Sequence, residues 1–206
     1  MRYKIEDLED TCRFRQILKI PYDELVGFVL DYLRRRTDLM IFFWSVCLIF
    51  LSMALMIRIN IAGYFPFRNI FFHSLLGLIV FPVLIIPVHE LLHVVPFLLT
   101  GARKIKAGVD LKQYLFYVTA HRHVVDAREF RLVAYTPFII LNVILLVLIF
   151  LLPGLWKWSL SLLLFVHTTM CAGDFALLNF FRINNKRKVY TWDDADARIA
   201  YFYEEI

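Results

Sequence analysis

Apolar and polar positions fall along this chain in long blocks. Four stretches, about 39–58, 70–100, 132–152 and 155–181, are almost continuously apolar. Each is long enough to cross a hydrocarbon core of about 30 Å at 1.5 Å per helical residue. The second is longer than a crossing needs and holds Pro82, Pro87 and Pro96. It is expected to bend or to begin with a short interfacial piece. Between the blocks the periods shorten. "YDELVGFVLDYLRRR" carries an apolar face at helical spacing, so segment 1–38 is expected to be helical. In loop 101–131, "KIKAGV" and "YLFYVTA" are β-prone runs separated by "DLKQ", which predicts a β-hairpin. The tail 183–206 is aromatic and acidic, and a short helix against the cytoplasmic face is expected there. The fold class that follows is an all-α membrane protein: four transmembrane helices, with a cytoplasmic-side β-hairpin between helices 2 and 3.

Composition agrees with the blocks. Of 206 residues, 60% are apolar, and the mean hydropathy is +0.64, whereas soluble domains are nearer 45–50% apolar. The first apolar run begins only near Leu39, behind a charged segment, which is not the order of a cleavable signal peptide. Cys47 and Cys171 fall inside apolar runs and Cys12 in the polar N-terminal segment, so no disulfide framework is expected. Internal repeats and low-complexity linkers are absent. The expected organisation is one four-span core, 39–182, with an N-terminal segment 1–38 and a tail 183–206.

The net charge of +5 matters less than its distribution. Segments 1–38, 101–131 and 182–206 hold eight, seven and five of the 23 Lys and Arg residues. The positive-inside rule then places both termini and loop 101–131 in the cytoplasm, with two short outside turns. Arg34–Arg36 is read as marking the membrane boundary.

One apolar block contains what a bilayer disfavours. "PVHELLHVVP", residues 87–96, brings His89, Glu90 and His93 into the second span, where a charged side chain costs roughly 2.5–3.5 kcal/mol on insertion scales. His89 and His93 lie one helical turn apart and can reach a single ion. Zinc binds imidazole nitrogen, and a catalytic zinc uses three protein ligands plus a water. Glu90, beside the first histidine, is then free to take a proton from that water. The bland alternative is a pair of core histidines hydrogen-bonded to a neighbouring helix. In a chain of this composition the pattern arises by chance roughly once in two hundred.

The third ligand is expected from the fourth span, which contains "HTTMCAGDFALLN". Spans two and four run in the same direction. The centre of the H-E-x-x-H turn lies about 10 residues before Gly101 and Asp174 lies 8 before Arg182, so their depths agree to about 3 Å. Asp174 is the expected ligand. His167, about 10 Å further from the cytoplasm than Asp174, is expected beside the site or as a satisfied core residue. Cys171 is a possible ligand, with small-residue packing the simpler reading. Ala172 and Gly173 are small enough to admit a facing helix. Tyr135 and Asn142 share a face of span three; Asn142 suits either an oxyanion or an interhelical hydrogen bond. His73, about 160° round the helix from His89, should not join. His121 and His123 read as surface residues.

Four blocks in order, "HELLH", "GARKIKAGVDLKQYLFYVTA", "DAREFRLVAYTPFIILN" and "HTTMCAGD", resemble the zincin-peptidase family of small bacterial membrane proteins, a domain of unknown function. The resemblance covers about residues 70–182. More distantly the chain is similar to the site-2 protease class, which carries H-E-x-x-H in one span and an aspartate ligand in a later one. That likeness extends to His89, Glu90, His93 and Asp174. Where the class has asparagine-proline-aspartate-glycine, this chain reads "CAGDF". The resemblance implies a bacterial cell-membrane protein whose hairpin presents an extended substrate by strand addition.

Together these readings predict an intramembrane zinc metalloprotease acting near the cytoplasmic face. Zn2+ is its cofactor and a membrane-protein or peptide its substrate, with the lipid bilayer as surroundings and no nucleic-acid partner. A zinc-binding protein without catalysis (transporter, sensor or inactive scaffold) is the alternative. A structural membrane partner that binds no metal is the third.

Overall fold

The chain opens with a single turn α1 (Ile5–Leu8), a strand β1 (Phe14–Pro21) and a helix α2 (Leu25–Arg34) before the first apolar block. The computed structural model describes residues 3–110 and 115–206. Segment 1–38 is therefore only partly helical: "FRQILKIP" is a strand. Its partner is β6 near the C-terminus, paired antiparallel from Phe14↔Glu205 to Pro21↔Ile199. That pairing spans nearly the whole chain, and local periodicity carries no trace of it.

The apolar blocks become four helical segments long and apolar enough to cross a membrane. The first is α3 (Asp38–Asn60), started by Thr37, whose hydroxyl accepts from Met40 N at 3.2 Å. The second joins α4 (Phe67–Leu75) to α5 (Phe81–Leu99) through a widened π-turn at Leu76–Val80. The turn lies where the segment meets the fourth span: a Cβ on Gly77 would stand 2.4 Å from the Ser159 carbonyl oxygen, so only glycine permits the approach. The segment continues through Pro87 and Pro96. It stops at Gly101 (φ +83), where Gly101 N bonds Leu98 O and Ala102 N bonds Phe97 O, a left-handed cap that needs glycine.

Strands β2 (Ile105–Asp110) and β3 (Leu115–Ala120) then pair antiparallel in the register Ile105↔Ala120 to Asp110↔Leu115. This hairpin lies between the second and third spans in sequence. Its connecting residues 111–114 are outside the described residues. Strand β4 (Val125–Asp126) leads into α6 (Ala127–Leu151). Asp126 caps that helix through Arg128 N and Glu129 N at 2.7 and 2.8 Å, and Glu129 reaches back to Asp126 N at 3.2 Å. The fourth span is α7 (Leu155–Met170) followed by α8 (Ala172–Ile183), broken at Cys171.

The tail is not a helix. Strands β5 (Val189–Asp194) and β6 (Ile199–Glu205) form a hairpin, and the sheet order is β1-β6-β5-β4. "DDADAR" turns the chain, with Asp194 Oδ1 accepting from Asp196 N and Ala197 N at 3.0 Å. Tyr190 and Trp192 of β5 and Tyr201 and Tyr203 of β6 sit on alternate positions in one cluster, while Phe202 between the last two packs into another, as a strand's two faces require. The fold is thus largely helical with two antiparallel sheets, which corrects the all-α expectation. The four-stranded sheet buries Ile20, Ala200 and Phe202 against Phe180 and Phe181 of α8. It therefore sits at the end of the spans that carries the hairpin and both termini.

Candidate metal centre

Helix α5 presents His89, Glu90 and His93 over one turn, with His89 and His93 only 6% and 7% exposed. Their Nε2 atoms lie 3.2 Å apart. Asp174, in the first turn of α8, sends Oδ2 to 3.4 Å from His89 Nε2 and Oδ1 to 3.6 Å from His93 Nε2. Three ligands about 2.0–2.1 Å from a tetrahedral zinc lie roughly 3.3–3.4 Å apart, so the three side chains stand at the edges such an ion demands.

The surrounding hydrogen bonds determine which atoms carry protons. His93 Nδ1 faces the Val133 carbonyl of α6 at 3.1 Å. A carbonyl only accepts, so the proton of neutral His93 is on Nδ1 and Nε2 is a lone pair. His89 Nδ1 faces His167 Nε2 at 3.2 Å, and His167 Nδ1 faces Asn142 Oδ1 at 2.8 Å. With the amide oxygen of Asn142 assigned toward the ring, His167 donates from Nδ1 and accepts at Nε2. His89 then donates from Nδ1, which frees its own Nε2. Two imidazole lone pairs and a carboxylate therefore converge with no hydrogen between them. Such a group of acceptors is repulsive unless a cation sits among them, and N, N, O is a donor set zinc accepts. Turning the Asn142 amide over would reverse each donor in the chain and put a proton on His89 Nε2. As assigned, Asn142 Nδ2 is buried without a partner among the described residues.

Glu90 stands beside the two histidines. A carboxylate oxygen of Glu90 and imidazole nitrogens of His89 and His93 all lie within 4.8 Å of one another. The Glu90 carboxylate also lies near the backbone amide of Val118 in β3. The hairpin therefore borders the centre, with one of its backbone donors near the glutamate. Backbone groups of this kind leave no mark in a sequence.

The remaining expected residues divide. His167, fully buried, sits edge-on behind His89 with ring centroids 5.4 Å apart. Relative to Asp174 it lies about 10 Å further along the span. Relative to His89 the same rise gives only about 4–5 Å, a difference small enough for the two rings to meet. Asn142 makes an interhelical hydrogen bond behind the centre and is 5% exposed, so its oxygen does not face a substrate. Cys171 Sγ rests on the His167 carbonyl at 3.3 Å and lies 3.9 Å from His167 Nε2. Tyr135 packs its ring on Phe175, centroids 5.8 Å apart, rather than on the histidines.

Two smaller expectations change. A Cβ on Gly173 would meet nothing within 4 Å, so its smallness opens space beside Asp174 instead of admitting a helix. His121 is not a surface residue. Its side chain is 9% exposed and its Nδ1 accepts from Ala195 N at 3.2 Å. His73 pairs with Ser159 Oγ at 2.8 Å and takes no part in the centre.

A family model described as "Putative zincin peptidase" matches residues 82–189. The matched stretch runs from the first turn of α5 to the first residue of β5. It includes His89, Glu90, His93, Asn142, His167 and Asp174. No curated protein and no solved structure matches the chain significantly. Because the match covers just over half of the sequence, this protein belongs to the zincin-peptidase family so described.

Proposed function

We propose that this protein is an intramembrane zinc metalloprotease that hydrolyses peptide bonds of membrane-associated substrates near the cytoplasmic face. The observation that carries the reading is the convergence of His89 Nε2, His93 Nε2 and the Asp174 carboxylate, at separations of 3.2–3.6 Å. These three side chains would hold the ion. Membership of a zincin family supports zinc as its identity.

When bound, zinc supplies Lewis-acid polarisation of a substrate carbonyl and of an attacking water. The chain's own part is proton transfer and placement. The Glu90 carboxylate accepts a proton from the water as its oxygen joins the acyl carbon. It then delivers that proton to the departing amide nitrogen as the C–N bond breaks. Val118 N, close by in β3, is placed to orient the carboxylate as substrate binds. Asn142 and His167 hold His89 in the tautomer that leaves Nε2 available. β3 runs past Glu90, so an extended substrate segment added to the hairpin would lie against the centre. With both termini cytoplasmic, the charge asymmetry along the chain puts the hairpin on the cytoplasmic side.

The test is Glu90→Gln in detergent-purified protein and in cells co-expressing a membrane substrate. One zinc per chain should remain while cleavage is lost by at least a hundredfold, the lower range of general-base contributions. Cleavage at the wild-type rate removes Glu90 from its role. Zinc retained by both proteins, with no hydrolysis by the wild type of any membrane segment offered, favours a non-catalytic metal protein.

A further inference from the structure

A second feature lies apart from the metal centre. A groove of about 1100 Å³ opens between the start of α3, the first half of α6 and the end of α8. That exceeds the roughly 300–1,000 Å³ of small-molecule pockets. It lies at the sheet-bearing ends of the spans, where Asp38 begins α3 and Arg182 falls in the last turn of α8.

Its lining grades from charged to apolar. Five cations border it, and three are already paired: Arg182 with Asp38 at 2.6 Å, Arg187 with Glu204 at 2.7 Å, and Lys188 with Glu205 at 3.1 Å. Arg128 and Arg131 are exposed, and among the described residues no carboxylate lies within 4.0 Å of either. They stand three residues apart on α6, neighbours on one face about 5–6 Å apart at Cβ. That spacing lets two guanidinium groups share one phosphate. The same face continues through Tyr135 to Phe138 and Ile139, roughly 16 Å along the helix from Arg128. Phe42 of α3 faces Phe138 with ring centroids 6.5 Å apart. Phe42 and Ile139 are 48% and 53% exposed, turned toward the space a bilayer would fill. A free phosphate would use only the two arginines. An amphiphile uses the whole gradient.

We propose that this groove binds an anionic phospholipid, with its phosphate between Arg128 and Arg131 and an acyl chain along Phe42, Phe138 and Ile139. Basic recesses between spans at a membrane surface suit such headgroups. Charge complementarity decides against a zwitterionic lipid, which brings its own cation to a recess that already has two unpaired ones. The proposal does not rest on the peptidase reading and stands whether or not the protein cleaves anything.

Native mass spectrometry of the full-length protein in detergent, titrated with phosphatidylglycerol or phosphatidylcholine, tests it. Wild type should hold one phosphatidylglycerol in clear preference to phosphatidylcholine. Arg128→Gln/Arg131→Gln should weaken that adduct by roughly tenfold or more, as expected for two surface cations. Arg58→Gln/Arg68→Gln, at the opposite ends of the spans, should leave it unchanged. Arg128→Lys/Arg131→Lys keeps the charge and should keep most of the binding, which also guards against misfolding as the cause. Absence of preference in the wild type overturns the proposal, as does a preference that survives the Gln pair or is lost equally in the Lys pair. Full displacement of the lipid by excess inorganic phosphate would make this a free-phosphate site. A co-purified adduct with the mass of a polypeptide would make it a docking site for protein. Either result overturns the assignment.

Discussion

His167 offers the sharpest test of how the metal centre is built, because it touches the first histidine without facing the proposed ion. Replacing it by Leu preserves an apolar side chain of similar bulk and removes the acceptor for His89 Nδ1, now 3.2 Å away. That donor is then buried and unpaired, since His89 is only 6% exposed. An unsatisfied buried donor costs about 1–3 kcal/mol. His89 can escape the cost by moving its proton to Nε2, which blocks the lone pair the ion needs, or by turning its ring. Both routes weaken zinc, by roughly 10- to 100-fold at about 1.4 kcal/mol per decade. Asn142→Leu acts one bond further back, on the 2.8 Å contact to His167, and should weaken zinc in the same direction by less. The assay is competition with a chromophoric chelator on detergent-purified protein, with thermal unfolding to establish that each variant is folded. Zinc affinity within twofold of wild type in folded His167→Leu would refute the tautomer argument. Complete loss of zinc would refute it differently, by making His167 a direct ligand.

Three further outcomes follow from specific contacts. Asp174→Ala and His93→Ala should each reduce bound zinc to well below one per chain, measured by elemental analysis; an undiminished ratio in Asp174→Ala would return the third ligand to Cys171 or His167. Asn179, wholly buried, donates to the Tyr32 and Arg35 carbonyls and accepts from Thr37 Oγ1 at 2.7–3.0 Å. Asn179→Leu leaves those groups unsatisfied, about 2–4 kcal/mol, and should lower Tm in detergent by roughly 5–10 °C. Burial pushes the Asp193 carboxyl from its ordinary 3.8 up to about 6, against a hydrogen bond donated by Thr119 at 2.5 Å. The folded protein thus holds this proton more tightly than the unfolded chain does. The resulting stability is complete below about pH 4 and disappears as pH rises through 6. Discounted for the part of the side chain that meets water, it amounts to about 1–2 kcal/mol. Asp193→Asn, which keeps the acceptor for Thr119, should flatten the fall in Tm between pH 4 and 6; an unchanged slope would mean another group titrates there.

The sequence by itself determined the four helical segments, because each depends on an uninterrupted apolar block whose length can be counted. It also determined the pairing of His89 with His93, since one helical turn relates them, and the hairpin between α5 and α6, whose two strands are near neighbours in the chain. Asp174 could be named as the partner of the histidines because two spans of known direction make depth a matter of residue counts. What only the tertiary structure decided depends on groups distant in sequence or without side-chain identity. The strand character of residues 14–21 and of the tail comes from a sheet joining the two termini, where Phe14 meets Glu205. The run "IAYFY" is apolar without alternation, and only its packing in the sheet gives it the alternating burial of a strand. The orientation of the His89 and His93 imidazoles is set by His167 and by the Val133 carbonyl, and the Val118 amide lies near Glu90. A backbone carbonyl or amide is the same in every residue, so which one meets a given side chain is decided by how the helices and the hairpin pack.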